Sequence, residues 1–513
     1  MKDSKGITLV ALAITIVVMI ILAGVTIKVG LEQNGIISGS KDERQKQEIS
    51  MLIEKIKIEI NEKQATSSDR LTQEELESIL TKYGKLSADK QTLTTSKEYE
   101  IQVSDIYAYN EVISDGTWDG TKSVNTPKID NTGLTPVYWN GTEWIKLNYS
   151  SSKEDWNKWY DYSNQQWANA ESKDGSMWVW IPRYEYKINS DNSITVNFKR
   201  IGDSTTSGYI LHPAFSNDIN NGGWTTDLEG FWVAKYQAGY QNSTTGETNK
   251  EIFYSELNYT ELGDYSSNFL AATLEKDKSK LTYPVFKPNT YAYNIISVGD
   301  AWILSQEIGN ASMYGLSNVD SHLLKNSEWG AVAYLAQSSY GLNSNSSTSN
   351  EIAVNTKNLN NSVNVANAST GTKANVYAVT GYANTNKVND ISASTTKNMT
   401  GIFDLSGCTS EYVAGFYAGG NTNLPKAYNT MANSLTTKSS KYMTLYTANE
   451  KNGDATNETA GWNSDYSFFI SKTNPIFSRG GDYSVTSECG LFAFTATDGT
   501  PNSKRGFRAC LAF

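Results

Sequence analysis

Hydrophobic and polar positions follow three different rhythms along the chain. From Ile7 to Ile27, 21 consecutive residues carry no charge. At the rise of an α-helix that run covers about 30 Å, the thickness of a bilayer's hydrocarbon core. The pattern predicts one membrane-spanning helix over 7–30. Further on, Ile49, Leu52, Ile53, Ile56 and Ile60 recur at helical spacing with charges between them, and Leu76, Ile79 and Leu80 follow a Thr72/Glu75 capping box and stop before Gly84. These residues predict a helical stalk over 31–90. From about Gln91 the rhythm changes to short alternating or aromatic runs, such as Tyr99–Val103 and the segment Pro136–Leu147 with its Asn140-Gly141 hairpin turn. The expected order is a β-rich spacer over 91–175 and a larger domain over 176–513, an α+β fold overall. Between Gly341 and Asn398 only six residues are charged while Asn, Ser and Thr dominate. A decorated loop and a flexible insert both fit that composition.

Composition narrows the function. The chain has 513 residues, 44 Lys and Arg against 54 Asp and Glu, and a net charge of -10. Such a balance argues against a nucleic-acid partner held by phosphate neutralisation. With 2 His and 3 Cys, a histidine-rich metal centre, a zinc ribbon and a disulfide-stapled scaffold all lack ligands or bridges. No compact acidic loop for calcium is present, and no cofactor is implied. Lys2 and Lys5 precede the apolar run, so the positive-inside rule leaves the N-terminus cytoplasmic and the bulk extracellular, on a single-pass anchor in the bilayer. A cleaved secretory signal is the alternative, but the run is long for one and no small-residue cleavage site closes it.

The segment KGITLVALAITIVV places Gly6 between a short basic leader and the apolar helix. It resembles the N-terminus of type IV prepilins, which a prepilin peptidase cuts after the glycine. The resemblance implies a leader over 1–6, cleavage between Gly6 and Ile7, and possible assembly with other pilin subunits. Pilins usually carry Glu at the fifth mature position; here that position is Ala11.

Separated blocks in the last 330 or so residues, SMWVWIPRYEYKI, LEGFWVAKYQAGY, TGIFDLSGCTSEYVAGF, FSRGGDYSV and KRGFRACLAF, resemble in their order the C-type-lectin-like fold of the formylglycine-generating, or sulfatase-modifying-factor, family. Trp178, Trp180, Phe231, Trp232, Trp329, Phe403 and Phe507 are expected to anchor its core. Arg479 and Arg508 would brace the closing strands against carboxylates, with Asp404 and Glu411 as candidates. Catalysis in that family implies two cysteines a few residues apart after the RGG element, where this chain has Cys489 alone. Related iron enzymes imply several His ligands, and only His212 and His322 exist, of which His212 reads as a packed residue. No nucleophile elbow, phosphate loop or zinc-protease motif is present. The expectation is therefore a non-enzyme that binds an extracellular glycan or protein, for adhesion. The rival readings are a minor pilin or pseudopilin subunit and, further off, an altered oxidase of the formylglycine-generating type. Ligand contacts are expected in the segment between RGG and GFR, at Asp482, Tyr483, Ser484, Thr486, Glu488, Phe492, Asp498 and Asn502, because aromatic and small polar side chains on a loop make good contacts at low entropic cost. The preferred disulfide, if one forms, is Cys489 with Cys510.

Overall fold

The computed structural model describes residues 41–66, 73–88, 92–106, 124–148, 151–240, 283–294, 296–344, 351–367, 371–383, 387–418, 439–484, 486–500, 502 and 504–513. Gly6, Ile7 and the apolar run that follows them lie outside the described residues. Among the described residues no helix is long and apolar enough to cross a membrane. The chain divides into two compact units, with the boundary between Tyr107 and Ala108.

The first unit combines the helices Lys41–Thr66 and Gln73–Leu80 with an antiparallel sheet of β1 (Gly84–Leu86), β2 (Thr92–Thr95) and β3 (Glu100–Gln102), and closes with a short helix over Val103–Ile106. The apolar stripe places Ile56 and Ile60 inside, and Leu76, Ile79 and Leu80 are buried with Leu93 and Ile101. Charged residues tie the unit together at its surface: Glu48 accepts from Lys97 Nζ at 2.7 Å and from the Tyr99 hydroxyl at 2.9 Å. The predicted limit at residue 90 falls between β1 and β2, which are hydrogen-bonded partners, so the stalk and the start of the spacer are one unit. The second helix ends at Leu80, and Gly84 follows it. It opens β1, where a Cβ would lie 2.3 Å from Thr94 O. Thr72 lies outside the described residues.

The second unit is built on two larger sheets. In chain order its strands are β4 (Thr135–Trp139), β5 (Trp144–Lys146), β6 (Asn169–Glu171), β7 (Met177–Pro182), β8 (Tyr184–Ile188), β9 (Ile194–Phe198), β10 (Ile210–Leu211), β11 (Gly230–Ala234), β12 (Gly239–Tyr240), β13 (Pro284–Val285), β14 (Asp320–Leu323), β15 (Asn358–Asn367), β16 (Gly371–Ala378), β17 (Ser410–Tyr417), β18 (Thr444–Tyr446), β19 (Ile476–Arg479), β20 (Phe494–Thr497), β21 (Arg505–Phe507) and β22 (Ala509–Ala512). One antiparallel sheet runs β14-β22-β11-β7-β6-β4-β5; the other runs β18-β17-β19-β20, with β21 also paired to β17. The smaller sheets β10-β8-β9, β12-β13 and β15-β16 accompany them. Every residue of β7 is buried, which explains its unbroken apolar sequence: both faces are covered, so nothing selects for alternation. Trp180 faces Trp232 across the β7–β11 register with ring centroids 5.4 Å apart, and the expected aromatic anchors are all buried. The expected spacer limit at 175/176 falls inside one sheet. Strands β4, β5 and β6 belong to the same sheet as β7, because β6 pairs directly with β7 and β4 with β6.

The two larger sheets meet where the chain passes from β21 to β22. Arg508, between them, donates to Glu411 on β17 through Nε at 3.0 Å and Nη2 at 2.8 Å, to Ala234 O at 2.6 Å and to Phe403 O at 2.8 Å. Both side chains are buried, so a two-pronged ion pair locks one sheet to the other. Among the described residues Arg479 has no such carboxylate pair. Its guanidinium donates to Ala455 O at 3.1 Å and lies against the rings of Trp329 and Phe494. Asp404 serves a different element, accepting from Gly381 N at 2.9 Å and Asn355 Nδ2 at 2.8 Å. That contact fastens both ends of the β15–β16 hairpin, so the described part of 341–398 folds back on the unit instead of trailing from it.

Candidate functional site

Strand β19 ends in Arg479, and Gly480 and Gly481 then take left-handed φ values of 81° and 72°. Only glycine adopts these without strain, and they turn the chain out of the sheet into the closing loop that returns as β20. Asp465 holds the far end of that loop. Its Oδ2 accepts from Phe492 N at 2.9 Å, and a Cβ on Gly490 would sit 2.0 Å from its Oδ1. Burial pushes the Asp465 carboxyl up to about 7, against the pull of the Phe492 N–H.

The loop closes over a polar pocket of about 180 Å³ whose wall includes Tyr466, Asp482, Glu488, Asn502, Lys504 and Arg505, with Ser410 and Ser478 also lining it. Asp482 Oδ1 accepts from Ser484 N at 2.8 Å and lies 3.8 Å from Lys504 Nζ, which donates to Ser484 Oγ at 2.6 Å. Asn502 Oδ1 accepts from Lys504 N at 2.9 Å. Arg505 is held by Thr497 Oγ1. Glu488 is exposed.

Of the eight residues expected to meet a ligand, Asp482, Glu488 and Asn502 come together on this wall, and Ser484 stands behind it through Lys504. The others do not join them. Tyr483 is 9% exposed and packs with Ala292, Ala378 and Cys408. Phe492 is wholly buried, edge-on to Trp462 at 5.3 Å. An apolar ring on a short loop covering a sheet is drawn into the core before it can serve a ligand. Asp498 caps its own turn, accepting from Thr500 N at 3.1 Å and Thr500 Oγ1 at 2.8 Å. Thr486 lines a separate cavity of about 230 Å³ with Asp465 and Cys489. The expected Cys489–Cys510 bridge is absent: all three cysteines are buried thiols. Cys510 lies on β22 opposite His322, whereas Cys489 sits in the closing loop and donates to Asp482 O at 3.3 Å.

The sequence reading missed Tyr466 and Phe468, which are 41% and 50% exposed. It also passed over Lys504 and Arg505, although two adjacent cations beside Asn502 were visible. Tyr466 has no signal in the sequence that links it to the loop. Backbone bonds from Phe494 N to Tyr466 O and from Phe468 N to Phe494 O, both 2.9 Å, lay this segment beside β20.

Among the described residues one cluster offers metal donors: His322, Glu328 and Cys510 present ligand atoms within 4.8 Å of one another. His322 Nε2 lies 3.0 Å from Glu328 Oε2, and Lys325 Nζ lies 3.6 Å from Oε1. The Lys325 ammonium, stacked 4.3 Å from the Trp224 ring centre, already supplies the positive charge a metal would bring. Burial raises the Glu328 carboxyl, and His322 and Lys325 more than reverse this, to about 2. The cluster is a buried charge network at the start of the helix Asn326–Ala336, where Glu328 also accepts from Lys325 N at 2.9 Å. His212 is packed as expected, among Tyr184, Tyr186, Phe215 and Tyr334, and burial pushes it down to about 3. No protein-family model and no curated protein matches the chain.

Proposed function

We propose that the protein is a non-catalytic bacterial surface receptor, an adhesin whose lectin-like unit binds an extracellular ligand and whose N-terminal apolar run anchors it in the cell membrane after prepilin-type processing at Gly6. One observation carries the binding part of this reading. Polar side chains from three separate stretches, Tyr466, Asp482–Glu488 and Asn502–Arg505, converge on one open pocket above a frame of buried sheets. A concavity on a rigid scaffold where polar groups converge beside an exposed ring is a candidate ligand site. The anchor rests on the 21 uncharged residues from Ile7 to Ile27 and their basic leader.

Whole cells carrying the chain, compared with cells carrying Glu488→Ala with Asn502→Ala, test both parts. The account expects host-surface binding that the double variant loses, protease accessibility of the second unit from outside, and a mature N-terminus at Ile7. Equal binding by the double variant removes the pocket. A protected second unit removes the outward orientation, and an intact N-terminal methionine removes the processing.

A further inference from the structure

We infer that the pocket recognises a neutral, hexose-sized sugar unit, stacked on Tyr466 and bound without a metal ion. This rests on the binding reading above and names its ligand class. Three observations lead there.

The first is aromatic geometry. Tyr466 and Phe468 flank Ser467, whose backbone bridges Phe494, and Ser467 Oγ turns the other way to accept from Gly461 N at 2.9 Å. In an extended segment residues two apart share a face, so both rings stand on one side and are 41% and 50% exposed. Tyr466 itself lines the pocket. An exposed ring on the wall of a polar pocket, with a second exposed ring two residues on, suits a ligand with an apolar C–H face and a polar edge.

The second is charge. The wall carries two carboxylates, Asp482 and Glu488, and two cations, Lys504 and Arg505. Their formal charges cancel, so an ion of either sign gains little by entering. What the wall offers a ligand is directional: the Glu488 carboxylate accepts, the Asn502 amide donates, and the Tyr466 and serine hydroxyls do both. Hydroxyl groups also donate and accept, and a sugar ring presents several around one edge.

The third is size. A volume of about 180 Å³ lies below the range of pockets that enclose drug-sized ligands, which suits a single small ring and not an extended ligand. Ring stacking and hydrogen bonding to hydroxyls need no calcium, and the groups lining the pocket include two cations, Lys504 and Arg505.

The test uses the full chain in detergent on an array of neutral, sialylated and sulfated oligosaccharides, with chelator present. Calorimetry follows with the best neutral trisaccharide, for the native chain, Tyr466→Ala and Glu488→Gln. Neutral glycans should be retained in chelator, their affinity should shift less than about twofold between low and high salt, and Tyr466→Ala should weaken it about tenfold. Tyr466 is exposed, so its variant is expected to melt as the native chain does. Binding confined to charged glycans, binding abolished by chelator, or full affinity in Tyr466→Ala overturns the inference. Failure to bind any glycan, while the chain still binds a host protein through Glu488 and Asn502, overturns the ligand class and leaves the receptor reading standing. If neither kind of ligand binds, both fall.

Discussion

Arg505 and Arg508 stand three residues apart and do opposite work. Arg508 is buried, and Glu411, Ala234 and Phe403 take up its guanidinium donors. Arg505 lies at the pocket wall beside an exposed Glu488. Burial turns the first pair into a joint between two sheets, because a charge removed from water must keep its partners or cost several kcal/mol. Exposure leaves the second set available, since water can replace any partner it loses. One short C-terminal stretch thus supplies both the lock of the frame and part of the pocket's wall.

The contrast can be tested from the frame outward. Glu411→Ala strands the Arg508 guanidinium in the core and should destabilise the protein by about 3–5 kcal/mol in denaturant unfolding; a loss below about 1 kcal/mol would mean that water reaches the joint. Within the closing loop, Phe492→Ala should cost about 3–4 kcal/mol by opening a cavity beside Trp462, which would mark Phe492 as frame and not ligand contact. Asp465 gives an effect of about 2–4 kcal/mol that depends on pH. Its carboxyl ionises near 7 when folded, against a reference of 3.8, so the folded state holds the proton through the interval between them. This contribution is largest below about pH 4, falls as pH rises through 7 and is then flat. Asp465→Asn cannot ionise, so its stability relative to the native chain should rise across that window; a parallel pH profile would contradict the burial of Asp465. At the surface, Glu488→Ala should leave stability within about 0.5 kcal/mol.

Much of the frame was legible in the sequence and rather less of the site. Helical spacing found the face of Lys41–Thr66 that buries Ile56 and Ile60, and the dense aromatics marked β7 and β11 as core. The expected limits at 90 and 175 fall between paired strands, and such pairing is not legible locally: nothing in Asn169–Glu171 says that it pairs with β7. The Arg508–Glu411 joint was among the expected arginine–carboxylate pairs, while the role of Asp404 could not be anticipated, since its partners Asn355 and Gly381 come from a segment of ambiguous composition. In the closing loop, residue type alone failed to separate Tyr483 and Phe492, which fill the core, from Asp482, Glu488 and Asn502, which face the pocket. Tyr466 and Phe468 escaped notice because only the bridge between Ser467 and Phe494 carries them to the site.

The most direct measurement compares ligand binding and thermal unfolding of the full chain with those of Glu488→Ala combined with Asn502→Ala. The account predicts an unchanged melting transition with binding lost, separating pocket from frame. Retained binding in the folded double variant, or binding lost only together with the fold, would contradict it.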